Sequence, residues 1–284
     1  MVAATVIWGF AFVIVKNSVD LVPPLYMMAF RFTIGFAGMA VLFAGRWRYL
    51  SKNSFKAGVI IGIFLFLSYF FQTVGIQYTT AGKNAFLTTV YVVIVPFFSW
   101  ALYKKRPDRS CFCAALMAIT GIGLLSLQGD LSVNIGDVLT LICGFGYAAH
   151  IMSVDKYTET CDPILLTMIQ MLVAALLSWG FAPIVSGGFP AGLWQPDVLT
   201  GMLYLGLGSS MLGFLLQNLG QKYTNPSLAS VLLSLESVFG ALFSVWFLGE
   251  RMTGRMWIGC VLIFGAVLTA EVKRPVLKKD ATGG

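Results

Sequence analysis

The run SVLLSLESVFGALFSVWFLGE, residues 230–250, is apolar or small except for Glu236 near its middle and Glu250 at its end. A segment of this length and composition crosses a membrane, which puts the Glu236 carboxylate roughly mid-span, where an ionised side chain costs about 2.5–3.5 kcal/mol. Protonation or a bound cation would offset that cost. A single intramembrane carboxylate without an acidic neighbour is a functional candidate by default. It can stay neutral in a dry cavity and ionise when water or a cation arrives, which fits a proton-coupling group. The structural alternative is a buried pair with Lys16, Arg31 or His150.

A helix presents residues i, i+3, i+4 and i+7 on one face. Sorted this way, Asn84, Thr88 and Tyr91 share a stripe, as do Ser68, Gln72 and Gly75, and Gly213, Gln217 and Gly220. Thr140, Cys143, Tyr147 and His150 form another, beside Trp8, Phe12 and Lys16. Polar side chains facing lipid would go unsatisfied, so these stripes face other helices or water and can converge on one space. The candidate substrate-binding residues are therefore Trp8, Phe12, Gln72, Asn84, Thr88, Tyr91, Tyr147, His150 and Gln217, with Glu236 as the candidate proton-coupling residue.

Each candidate has a structural alternative. Gln72 and Gln217 could serve as interhelical hydrogen bonds of about 0.6–2 kcal/mol. Ser230, Ser234, Ser237, Ala241 and Ser244 form a small-residue ridge, better read as a packing surface. Lys16 and Arg31 can snorkel or pair with helix-end carbonyls. Glu250 beside Arg251 reads as an interfacial ion pair. His150 is the only histidine and cannot build a metal site unaided, so neither a metal nor another cofactor is expected. Nucleophile, base and clustered ligands are not assembled by any motif, which argues against an enzyme.

The elements that must position these residues are membrane helices. The 284 residues are 58% hydrophobic and 11% charged, with a mean hydropathy of +0.83, beyond the usual apolar share of a soluble domain. Continuously apolar runs exclude a β-barrel, whose strands alternate with period two. Ten helices are expected, over residues 2–17, 24–44, 55–77, 82–103, 110–127, 134–155, 163–185, 197–221, 226–248 and 254–272. The basic residues orient them. With a cytoplasmic N-terminus, inside segments hold Arg46, Arg48, Lys52, Lys56, Lys104, Lys105, Arg106, Arg109, Lys156, Lys222, Lys273, Arg274, Lys278 and Lys279. Outside segments hold only Lys16, Lys83, Arg251 and Arg255, so the positive-inside rule puts both termini in the cytoplasm of a cell (inner) membrane. The net charge of +7 is then topology and attraction to anionic lipid, with no nucleic-acid partner implied. Cys111, Cys113, Cys143, Cys161 and Cys260 lack disulfide or zinc spacing and read as apolar packing residues. The first span has no basic n-region and no cleavage signature, so it is expected to be a retained helix. The tail after 273 is polar and expected to be mobile.

An offset of 145 lays LSYFFQTVGIQYT (67–79) on LGFLLQNLGQKYT (212–224), matching Gln72 with Gln217 and Tyr91 with Glu236. An earlier pair aligns at 139 and places Arg31 opposite Gln170. The expected organisation is thus two five-helix repeats, 1–130 and 131–273, with a tail over 274–284. Five is odd, so the second copy enters the membrane inverted, the setting for a midplane site with alternating access.

With WGFAFVIVK in the first helix, LESVFGALFSVWFLGERMT in the ninth and GCVLIFGAVL in the tenth, the chain resembles the EamA type of the drug/metabolite transporter superfamily across its whole length. The resemblance implies a central cavity and secondary transport, commonly export, of small metabolites. Many members carry Pro after the ninth-helix Glu, where this chain has Ser237. The expected partners are a small polar or amphipathic substrate, amino acid-like or an organic cation, with protons as the coupling ion and lipid around it. The alternatives are a membrane-embedded enzyme or a non-transporting scaffold.

Overall fold

A computed structural model describes residues 1–104, 109–126 and 134–271. The tail after residue 271, Lys105 and Arg106 lie outside the described residues, as do the side chains of Arg109 and Cys111. The described chain is all-helical, without a strand: α1 (Val2–Ser18), α2 (Pro24–Leu42), α3 (Lys52–Tyr78), α4 (Ala81–Thr88), α5 (Tyr91–Tyr103), α6 (Arg109–Ser126), α7 (Ile135–Thr158), α8 (Pro163–Ser186), α9 (Pro196–Leu203), α10 (Gly213–Lys222), α11 (Pro226–Leu248) and α12 (Gly254–Glu271). Seven helical stretches are long and apolar enough to cross a membrane: Pro24–Leu42, Lys52–Tyr78, Ala81–Tyr103, Ile135–Thr158, Pro163–Ser186, Pro196–Lys222 and Pro226–Leu248. Val2–Ser18 and Gly254–Ala266 are shorter apolar helices.

The helix starts follow from local chemistry. Ser51, Thr80, Asn134, Asp162 and Asn225 each accept a backbone N–H of the turn they precede, satisfying donors that have no partner inside the helix. Pro24, Pro163, Pro196 and Pro226 stand in first turns, where a missing N–H costs nothing.

Two stretches expected as continuous helices are interrupted. Between α4 and α5 the chain tightens, with Thr89 N–H donating to Phe86 O and Val90 N–H to Leu87 O. Thr88, Thr89, Val90, Val92 and Val93 are all β-branched, Thr89 Oγ1 also bonds Phe86 O at 2.7 Å, and Pro96 withdraws one further N–H. Each of these weakens a helix. Between α9 and α10, Tyr204–Leu212 winds as a π-helix, a form common at functional sites.

Helices α3 and α7, α6 and α12, α1 and α11, and α2 and α8 form the main packed pairs, with α8 also lying on α3. Packing of α1 on α11 is close: a Cβ on Gly9 would lie 2.5 Å from Phe239 Cβ and 2.9 Å from Gly240 N. Ser230, Ser234, Ser237, Ala241 and Ser244 are buried along α11, and the four serine hydroxyls donate to carbonyls three residues back. That makes the ridge a packing surface. Cys143, Cys161 and Cys260 are buried free thiols, whereas Cys113 is exposed. Beside an apolar core, the outside is apolar as well, unlike that of a soluble protein. Val41, Leu116, Ile184, Trp246 and Val261 are outward-facing, while Arg31, Asn84, His150, Gln170 and Glu236 are buried. Such an exterior belongs in hydrocarbon.

Candidate functional site

The buried polar residues surround a cavity at the centre of the bundle. Helix α1 contributes Trp8, Ala11, Phe12 and Val15, α2 Arg31, and α3 Tyr69, Gln72, Thr73 and Ile76. Asn84 of α4, Tyr91 of α5, and Tyr147 and Ile151 of α7 add a second wall. Ser209 of the π-helix, Phe214 and Gln217 of α10, and Leu233 and Glu236 of α11 close it. About 40 Å³ is open to the centres of water molecules, roughly three times what a single water needs. The space is small, so a metabolite would enter only with movement of the walls.

Eight of the ten residues singled out from sequence line this cavity: Trp8, Phe12, Gln72, Asn84, Tyr91, Tyr147, Gln217 and Glu236. Thr88 and His150 stand behind its wall. Gln72 occupies the space in front of Thr88 and donates to it, Nε2 to Oγ1, at 3.0 Å. His150 Nε2 is bonded to Gln170 Oε1 at 2.9 Å, and its ring packs against Phe214 at 5.8 Å between centroids. Both side chains thus hold wall residues in place.

Glu236 has none of the cationic partners considered from sequence. Tyr91 donates its hydroxyl to Glu236 Oε1 at 3.0 Å, and Oε2 has no hydrogen-bond partner among the described residues. Lys16 is used elsewhere: Nζ donates to Ile76 O at 2.8 Å and Thr79 O at 2.9 Å, which covers the orphan carbonyls at the end of α3. Beside Tyr91, Tyr147 donates to Gln72 Oε1 at 3.2 Å, and Asn84 Nδ2 donates to Thr140 Oγ1 at 2.7 Å and Gln72 O at 3.2 Å. These bonds tie α3, α4 and α7 into one network around the carboxylate. Gln217 Nε2 donates to Gln221 Oε1 at 2.8 Å, and Gln221 passes on to Ile151 O at 3.2 Å, joining α10 to α7.

Arg31 does not snorkel but points inward. Nε donates to Ser210 Oγ at 3.0 Å and Nη2 to Ser209 Oγ at 2.7 Å, and Cζ lies 4.5 Å from the centre of the Tyr69 ring. The π-helix makes this possible by turning two successive serines toward α2. Its wide coil also offers Ser209 O to Trp8 Nε1, at 2.8 Å. Gly213 lets the indole lie on the next turn, since a Cβ there would come within 2.4 Å of Nε1.

Polar contacts tie together the face carrying the α4 N-terminus. Gly249, at φ +64°, turns the chain at the end of α11. Glu250 then receives Ala81 N–H on Oε1 at 2.7 Å and Gly82 N–H on Oε2 at 3.0 Å. Its role is to cap α4, in place of the expected pair with Arg251. Next to it, buried Asp137 accepts from Thr79 Oγ1 at 2.7 Å and pairs with Lys83, Nζ to Oδ2, at 3.6 Å. On the opposite face, Tyr103 donates to Asp155 Oδ2 at 2.9 Å, joining α5 to α7.

Comparison with known proteins gives this arrangement its family. The chain matches the EamA-like transporter family over residues 1–127 and 134–270. It is 36% identical over 267 residues to an uncharacterised transporter of Archaeoglobus fulgidus, covering 94% of this chain and 83% of the relative. It is 24% identical over 274 residues to the uncharacterised transporter YoaV of Bacillus subtilis, covering 93% and 92% of the two chains. A solved crystal structure shares the fold, with a TM-score of 0.70 at 20% identity over 95% of this chain and 94% of the other. With its apolar helices and lipid-facing exterior, the chain is a multi-pass membrane protein that belongs to the EamA-like transporter family of the drug/metabolite transporter superfamily.

Proposed function

We propose that the chain is a secondary transporter that moves a small polar or amphipathic metabolite through the central cavity by alternating access. Export is the direction we assign, following the resemblance to the drug/metabolite transporters. The observation that carries the reading is the contact between Tyr91 and Glu236. They are equivalent positions at the repeat offset of 145, and a contact between equivalent residues is what an internal two-fold axis passing beside them would produce. The packed pairs support the same axis. Exchanging the halves carries α3·α7 into the pairing of α1 with the Pro196–Lys222 span, and α1·α11 into that of α7 with α4 and α5, while α2·α8 and α6·α12 map onto themselves.

On this reading the chain crosses the membrane ten times. The seven long stretches are joined by α1, α6 and α12, as two inverted repeats over 1–130 and 131–273, with both termini cytoplasmic. The cavity-lining residues form the substrate wall, and Glu236 handles one proton or one cationic charge per cycle. Tyr91, its equivalent, stays neutral, so the other half has no titratable group at this depth.

Purified protein in proteoliposomes tests the reading. Flux of a metabolite should saturate with concentration and be driven by a pH gradient. A cysteine at Gln72 should react with a small polar thiol reagent and be protected by the transported compound. Unsaturable flux, or labelling no faster than at Val261, would overturn it. Reporters fused after Lys52 and after Gly188 should read inside and outside respectively.

A further inference from the structure

The cavity is lined by a guanidinium and a carboxyl group that do not meet. Arg31 is 2% and Glu236 7% exposed, and both line the same space. No ion pair joins either of them to a described residue. Each is held by neutral groups. Ser209, Ser210 and the Tyr69 ring fix the guanidinium, leaving Nη1 without a hydrogen-bond partner among the described residues. Tyr91 fixes one oxygen of the carboxylate, and Oε2 is left open.

Hydroxyls and a ring face orient a charge without neutralising it. The two groups are thus held in place, separated, and each still able to bind.

Resting on the reading of this cavity as the transport site, we propose that it is a two-pole site for a zwitterion: Arg31 takes a carboxylate and Glu236 takes an ammonium of one small ligand, as in an α-amino acid. A plain amine would satisfy Glu236 but leave Arg31 unneutralised and repelled. A plain carboxylate would do the reverse. A zwitterion neutralises both poles and adds no net charge to a cavity inside the membrane, where uncompensated charge is costly. Trp8, Phe12 and Phe214 supply an apolar wall for the rest of the ligand.

The test uses the wild-type protein and matched ligand sets in a calorimeter. One set is leucine, isoamylamine and isocaproate; a second is phenylalanine, phenethylamine and hydrocinnamate. At least one amino acid should bind about tenfold or more tightly than both its amine and its acid, since each charge-assisted contact is worth that factor or more. Arg31→Gln should lose the preference over the amine, Arg31→Lys, which keeps the cation, should retain part of it, and Glu236→Gln should lose the preference over the acid. An amine or acid that binds as well as its amino acid overturns the two-pole site, and so does failure of every amino acid to bind. In either case, saturable flux of some other compound, blocked by a reagent on Gln72→Cys, would leave the transporter standing; no flux of any compound sinks both. Should the Arg31 variants not fold, the wild-type series alone decides.

Discussion

Glu250→Gln should loosen the face of the protein that carries the α4 N-terminus. In the structure, both carboxylate oxygens accept N–H groups at the start of α4, at 2.7 and 3.0 Å, and Thr80 Oγ1 takes the N–H of Lys83 at 3.2 Å. Three donors that the helix cannot satisfy internally are thereby used, two of them by a residue from α11's end. A hydrogen bond to a charged group contributes about 1.5–3 kcal/mol, and an anion at a helix N-terminus about 0.3–1 kcal/mol. Glu250 is only half-buried, so solvent screening reduces the sum to about 2–3 kcal/mol. The Gln side chain keeps one acceptor but turns an amide N–H₂ toward a donor, so most of this is lost. Closure of the face should weaken by about 30- to 150-fold. The assay is labelling of Gln72→Cys, in a chain without native cysteines, by a polar maleimide added from that face. Glu250→Gln should raise the labelling rate by at least tenfold, whereas Glu250→Asp, which keeps the charge, should raise it less. An unchanged rate together with an unchanged melting temperature would refute the clamp.

Three further outcomes follow from the same geometry. Glu236→Gln should melt within a few degrees of the parent, because no buried cation loses its partner, yet its transport should stop responding to a pH gradient; a large fall in melting temperature with the gradient response intact would show a structural role instead. Lys83→Ala strands the buried Asp137 carboxylate and should cost about 3 kcal/mol in denaturant titrations, most of it recovered in Lys83→Ala combined with Asp137→Asn; equal losses in both variants would count against the pair. Gly9→Ala forces α1 away from the backbone of α11 and should destabilise by about 1–3 kcal/mol, read as a lower melting temperature.

Much of the fold is legible because helices in lipid must be continuously apolar and must start at residues that satisfy free N–H groups. Apolar length marks the long spans, and Asp162–Pro163 and Asn225–Pro226 mark two of their starts. The π-helix escapes such a reading. In YLGLGSSML, Gly206, Gly208, Ser209 and Ser210 carry too little side chain to set a period, so nothing distinguishes a wide coil from a normal one. Helical stripes give the direction of a residue but not its depth, which is why Thr88 and His150 share a face with cavity residues yet stand behind Gln72 and Phe214. Adjacency in sequence also misleads at Glu250, where the Gly249 turn sends neighbouring side chains apart. The alignment of Arg31 with Gln170 points to a buried position for both, though not to the cavity, which Gln170 does not line.

That alignment also bears on how the site became polarised. Two copies of one unit, meeting at an axis, would by themselves yield a symmetric lining in which every charge faces its own image. Here the images are neutral: Gln170 answers Arg31, and Tyr91 answers Glu236. Each neutral partner now supports the site, Gln170 by holding His150 behind Phe214 and Tyr91 by holding the carboxylate itself. On the proposed two-repeat reading, like charges paired across the axis would repel in a medium with little screening, and the neutral images at these positions avoid that repulsion. The cation then belongs to the first half and the carboxylate to the second. On the proposed two-repeat reading, motion of one half against the other would shift Arg31 relative to Glu236, and a ligand bridging them would couple its own occupancy to that motion.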